Sequence, residues 1–147
     1  MSDIVLFSTN DAARPGIGGP IDRASLTLAI YGEDLVPEEI SQRIGLDATR
    51  SFRKGEKSGR AAERGGWCYA IDTVSPHGPE QLLQQFFQAL GGAGVVALTG
   101  LSRKYEVQLS FVLRMEGYNR GFEISPASAQ RIASIGASVG FSIYAEE

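Results

Sequence analysis

Arg50, Arg53 and Lys54, with Gly55 beside them and Trp67 a loop away, are the residues of this chain best suited to hold a ligand. A guanidinium presents paired N–H donors in one plane, which suits a carboxylate or phosphate held bidentately, and a lysine adds a compact point charge. Glycine supplies backbone freedom, and tryptophan a flat face for stacking. Read as the end of a strand, this stretch sends Arg50 and Phe52 to one face and Ser51 and Arg53 to the other. Between Arg50 and Arg64 six basic residues (Arg50, Arg53, Lys54, Lys57, Arg60, Arg64) stand against Glu56 and Glu63, an excess of +4. The chain totals −3, so the remainder sums to −7. The plainer reading of the same residues is also the commoner outcome: the arginines are solvated or pair with Glu33, Asp34 and Glu63, and Trp67 sits in the core.

Catalytic chemistry finds less support. His77, the single histidine, lies in the turn Ser75-Pro76-His77-Gly78-Pro79 with no neighbouring nucleophile. Cys68, the single cysteine, falls on the opposite side of a strand from Trp67, Tyr69 and Ile71, and pairs with His77 only if the fold joins them. One histidine and one cysteine do not make a typical zinc site. The acidic pairs Glu33-Asp34, Glu38-Glu39 and Glu146-Glu147 suit helix starts and solvated surface better than acid–base work. Gly16-Ile17-Gly18-Gly19 lacks a P-loop lysine and the strand–turn–helix setting of a dinucleotide fingerprint. No catalytic residue, metal ligand or cofactor is assigned.

The elements that must position these residues follow from periodicity. Leu26, Leu28 and Ile30 alternate along a strand over 25–31, and Trp67, Tyr69 and Ile71 along another over 67–72. Tyr105 to Met115 is the clearest strand, with one wet face. Val139, Phe141 and Ile143 mark a closing strand. Pro37, followed by Glu38 and Glu39, starts a short helix that Gly45 stops, and Ser125 caps a helix begun by Pro126 and stopped by Gly136. The longest helix runs from Glu80 to Leu90 on an apolar stripe of Leu83, Phe86, Phe87 and Leu90, and Gly91-Gly92 ends it. This order implies an α+β two-layer sandwich, a mainly antiparallel sheet with three helices on one face, ferredoxin-like or related.

At 147 residues, 43% of them hydrophobic, the chain is one domain's worth of globular sequence. Residues 1–22 read as a flexible N-terminal segment and 23–147 as the single domain. The lone cysteine excludes an internal disulfide, the N-terminus lacks a signal-peptide pattern, and no stretch reaches the roughly 20 apolar residues of a membrane helix. The expected location is the cytoplasm. A pI near 5.2, with a single aromatic among the basic residues, argues against nucleic acid and anionic membrane.

Leu28-Ala29-Ile30-Tyr31-Gly32, Ile44 to Arg50, Arg53-Lys54-Gly55-Glu56 and Gly66-Trp67 together resemble the bacterial DUF4279 family. Gly121 to Ser125, Ile135-Gly136 and Phe141-Ser142-Ile143-Tyr144 extend the resemblance over residues 25–145. It implies a small bacterial α+β domain and carries no activity with it.

The leading expectation is a non-enzymatic module that binds a protein partner, of an inhibitor or immunity-like kind, through the basic loop and an exposed sheet face or edge. The alternative is a small-molecule anion sensor in which loop 50–60 grips its ligand beside Trp67. An enzyme is the third reading. Sheet edges also admit a homodimer, with Ile4–Phe7 as a candidate arm.

Overall fold

A computed structural model describes residues 19–56, 63–74, 78–117 and 119–145. The run Ile4–Phe7, most of the expected flexible segment, Lys57, Arg60, His77 and the Glu146-Glu147 pair lie outside the described residues.

The described residues form five strands and three helices. Strand β1 (Arg23–Gly32) is central, paired antiparallel with β3 (Gly65–Val74) on one side and β4 (Glu106–Met115) on the other. The three-residue β2 (Arg50–Phe52) borders β3 antiparallel, and β5 (Ser138–Ala145) runs parallel to β4. The order is β2-β3-β1-β4-β5. Three of four pairings are antiparallel, as expected from alternating strands with one wet face. The helix α2 (Pro79–Leu101) carries the chain from β3 to β4 across β1, a split β-α-β unit with β1 between its parallel strands. The parallel β4–β5 pair, joined through α3 (Pro126–Ser134), departs from an all-antiparallel ferredoxin-like sheet.

Helices and sheet share one core. Leu26, Leu28 and Ile30 of β1, Trp67 of β3 and Val107, Leu109, Phe111 and Leu113 of β4 bury against Ile40 and Ile44 of α1 (Pro37–Ile44), Leu82, Leu83, Phe86, Phe87, Leu90, Leu98 and Leu101 of α2, and Ile132 of α3. Each such side chain contributes roughly 1.5–3 kcal/mol through removal from water. All three helices therefore cover the same side of the sheet, and no described helix lies on the other. The core also begins ahead of the expected start at Arg23. Ile21 is buried in it, and Asp22 accepts from the Glu116 backbone N–H (2.7 Å) and Arg120 Nε (3.0 Å).

The helix boundaries follow the capping residues. Pro37 opens α1 and Gly45 ends it in the left-handed region at φ 86°. Ser125 caps α3 by accepting from the Ser128 N–H at 3.1 Å. The middle helix differs from the sequence expectation. Gly91 does interrupt it, at φ 68° and ψ 175°, but the chain turns there and resumes helical geometry to Leu101. By length and composition this 23-residue helix could cross a membrane, against the expectation that no stretch could. Its Leu82, Leu83, Phe86, Phe87, Leu90, Leu98 and Leu101 are instead buried in the core.

Glu80, in the first turn of α2, ties that helix to α3. Its carboxylate accepts from the Ser125 N–H (3.0 Å), the Ser125 hydroxyl (2.9 Å), the Ser128 hydroxyl (2.9 Å) and Gln84 (3.3 Å). Burial pushes the carboxyl up, but the donated hydrogen bonds outweigh it and hold the group below its ordinary value of 4.5.

A side chain at Gly91 meets nothing within 4 Å, so Gly91→Ala costs backbone strain alone, about 1–3 kcal/mol by urea denaturation. The neighbouring helical Gly92 is equally open, and Gly92→Ala raises stability by about 0.5–1 kcal/mol. Glu80→Ala lowers stability by about 1–2 kcal/mol at neutral pH, given partial exposure. Because the folded-state value is depressed, the contribution is complete above the ordinary carboxyl range and disappears as pH falls through the folded value. The wild-type advantage should therefore shrink as pH is lowered below the ordinary carboxyl range in parallel denaturation series.

Candidate functional site

The five residues singled out from sequence occupy three different environments. Arg53, Lys54 and Gly55 form a turn after β2 in which the Glu56 N–H returns to the Arg53 carbonyl at 3.0 Å and Gly55 takes φ 91°. Both charges in this turn are satisfied locally. Arg53 pairs with Glu38 at 2.6 Å and Lys54 with Glu33 at 2.9 Å, which fastens the turn to the start of α1. The Lys54 contact lowers the Glu33 carboxyl and raises the Lys54 ammonium from their ordinary values, as a mutual ion pair must.

Trp67 is fully buried, and its indole N–H donates to the Ser41 hydroxyl at 2.9 Å. It offers no stacking surface. The sequence pattern had already placed it on the face of Tyr69 and Ile71, and that face is the one the helices cover.

Arg50 goes elsewhere. Its register partner is Cys68, and that of Phe52 is Gly66, so both side chains stand on the helix-free face. The pairings define rows across it: Phe52, Gly66, Tyr31 and Glu106 in one, and Arg50, Cys68, Ala29, Gln108 and Ser138 in the next. Gly66 is needed here because a Cβ would lie 2.5 Å from the Phe52 ring, so the ring settles onto the sheet. Arg64 stands 4.9 Å over the Tyr31 ring and pairs with Glu106 at 2.8 Å, while Gln108 donates to the same carboxylate. Hydrogen bonding to Arg64, first, and to Gln108 holds Glu106 below its ordinary value. Burial, and then the neighbouring Cys68, push the Tyr31 hydroxyl above its ordinary value of 10, with Arg50 and Arg64 pulling the other way. A phenol so placed stays protonated at neutral pH and serves as a hydrogen-bonding group rather than a base.

Further along the same face Arg23 lies directly opposite Arg114, and Arg114 stands 4.9 Å over the Tyr144 ring. Among the described residues the face carries Arg23, Arg50, Arg64 and Arg114 against Asp72 and Glu106, positive on a chain of net −3. No carboxylate among the described residues pairs with Arg50. Sequence reasoning assigned Arg50 and Phe52 to one face correctly but missed Tyr31, Arg64 and Arg23. They come together only through strand register, which no local spacing reveals. Cys68 is buried, and no three His, Cys, Asp or Glu side chains among the described residues converge as metal ligands would. The Cys68–His77 pairing lies outside the described residues.

A second surface lies at the sheet's far edge. Every residue of β5 is exposed, with Val139 at 38%, Phe141 at 45%, Ile143 at 58% and Tyr144 at 51%.

Helices on one side and an open, arginine-bearing sheet face on the other define an α+β sandwich. The chain belongs to the family described as a domain of unknown function, DUF4279, whose model matches residues 22–146. No curated protein and no solved structure matches it.

The lone tryptophan reports on this arrangement directly. Its emission should be blue-shifted and resist acrylamide quenching, unchanged by Arg53→Ala; red-shifted, quenchable emission would contradict the burial. Ser41→Ala leaves the indole N–H unpaired in the core and should cost about 1–2 kcal/mol in thermal or chemical unfolding.

Proposed function

We propose that this domain is a non-enzymatic protein-binding module, acting in the bacterial cytoplasm, whose helix-free sheet face receives an acidic partner. The observation that carries the reading is the composition of that face. Tyr31, Phe52 and Tyr144 alternate there with Arg23, Arg50, Arg64 and Arg114, and no described helix covers them. Arginine and large aromatics are the side chains that dominate binding energy in protein interfaces. Arg23 lies directly opposite Arg114, which gathers positive charge at that end of the face. An inhibitor or toxin-neutralising role fits such a surface by analogy.

The anion-sensor reading needs Arg50, Arg53 and Lys54 to converge. Arg53 and Lys54 are occupied by Glu38 and Glu33 on the α1 side, so of these three only Arg50 stands on the open face. The protein-partner reading is therefore preferred.

Crosslinked capture from host lysate, quantified for wild type, Arg50→Glu and Lys54→Ala, tests it. A genuine partner should fall by roughly 30-fold or more with Arg50→Glu, as a hot-spot arginine does, and stay with Lys54→Ala. Identical recoveries from wild type and Arg50→Glu would remove the open face from consideration.

A further inference from the structure

We propose that β5 is a dimerisation edge, pairing antiparallel with β5 of a second copy of this chain about a two-fold axis at Phe141. The two sheet edges are built differently. Edge strand β2 is three residues long, begins with Arg50 and is followed by Arg53 and Lys54, the short, charged form that discourages pairing. Edge strand β5 is eight residues long (Ser138-Val139-Gly140-Phe141-Ser142-Ile143-Tyr144-Ala145) and contains no charge and no proline. Four of the five exposed large hydrophobic side chains among the described residues lie on it. A row of backbone groups with apolar side chains and no guarding charge is a surface made for another strand.

The pattern selects a second copy over other occupants. Around Phe141 the strand is a palindrome in character: large apolar, small, aromatic, small, large apolar, from Val139 through Gly140, Phe141 and Ser142 to Ile143. In an antiparallel pair centred there, Phe141 faces Phe141, Val139 faces Ile143 and Gly140 faces Ser142, so every apolar residue on the helix side meets an apolar residue. A two-fold interface requires this self-complementarity, and side chains opposed in this way supply the cross-strand contacts that stabilise a sheet. The Phe141 ring is held for the purpose, stacked 5.2 Å from Phe111 at 8° and packed 5.6 Å from Phe122. The edge also lacks charge complementarity for an acidic partner, which separates it from the open face. The product is a continuous ten-stranded sheet whose helix-free faces adjoin.

The full-length chain in sedimentation equilibrium at roughly 100 μM should be a dimer, and Ile143→Lys should reduce its mass twofold with an unchanged circular dichroism spectrum. Directly opposed residues of an antiparallel pair have Cα atoms about 4.5–5.5 Å apart, within disulfide range. Phe141→Cys should therefore oxidise to a covalent dimer. Val139→Cys, whose two copies would sit roughly 13 Å apart along the strands, should not. A wild-type chain that stays monomeric overturns the proposal, whether Ile4–Phe7 of the same chain or an unrelated protein then covers the edge. A dimer that Ile143→Lys leaves intact overturns it equally. Neither result bears on Arg50-dependent capture, so the open-face reading stands or falls separately.

Discussion

The burial of the α2 stripe on the centre of the sheet is the contact on which the rest of this molecule depends. Leu82, Leu83, Phe86 and Leu98 are fully or almost fully buried, and so are Leu26, Leu28 and Ile30 of β1 and Leu109 and Phe111 of β4 beneath the helix layer. Removing that much apolar surface from water is the dominant favourable term in the fold. It also fixes what the fold cannot cover. Helices on one side leave the other side to water or to a partner. The helix layer lies closest to β1 and β3 and thins toward β5, so Val139, Phe141 and Ile143 share the apolar face yet remain exposed. Both surfaces proposed for recognition are thus consequences of where α2 sits, and at Gly91 the helix bends before continuing to Leu101.

Much of this was legible in the residues themselves. Alternation marked β1, β3, β4 and β5, and proline and glycine punctuation marked the bounds of α1 and the start of α3. What was not legible has identifiable causes. The run from Gly92 to Leu101 is rich in glycine and alanine and follows a glycine with positive φ, so its local signal reads as a helix end. Only packing against the sheet restores it. Trp67 carried two readings because a tryptophan beside a basic loop suits either stacking or the core, and the strand's own period decides for the core. Arg50 separates from Arg53 because alternation continues through Phe52 and stops at the Arg53 turn. Tyr31, Arg64 and Arg23 join the same surface only by register between distant strands, which a single sequence does not encode in any local spacing.

Two polar joints secure the crossover that delivers β5 to the edge. Glu80 gathers donors from the first turn of α3 onto α2, and Asp22 gathers the Glu116 N–H and Arg120 at the far end of β4. The backbone N–H of Glu116, the largest influence on Asp22, keeps its carboxyl below the ordinary range against some desolvation, and Arg120 reinforces it. A carboxylate accepting backbone and charged donors in this way is locked in geometry as well as in charge. Fastening the β4–β5 connection at both its start and its helix makes β5 a defined strand rather than a frayed terminus, although its own side chains bury little.

The placement of charge then separates structure from recognition. Arg53 and Lys54 meet Glu38 and Glu33 in exposed ion pairs, which add little to stability but hold the β2 turn in place. Arg64 meets Glu106 beside the Tyr31 ring and is likewise accounted for. Arg50 stands in the same neighbourhood, with β3 between it and a protonated tyrosine and a phenyl ring seated on a glycine beside it, and pairs with no carboxylate among the described residues. A guanidinium in water gains nothing from such a position, and Phe52 gains little from lying half exposed on a sheet. Both gain when a partner excludes water from the face, because the aromatic surface is then buried and the guanidinium acquires a counter-charge in a lower dielectric. The basic loop noticed first in the sequence is therefore two things. Its turn is a structural clamp, and its strand contributes one arginine to a face that the rest of the fold leaves open.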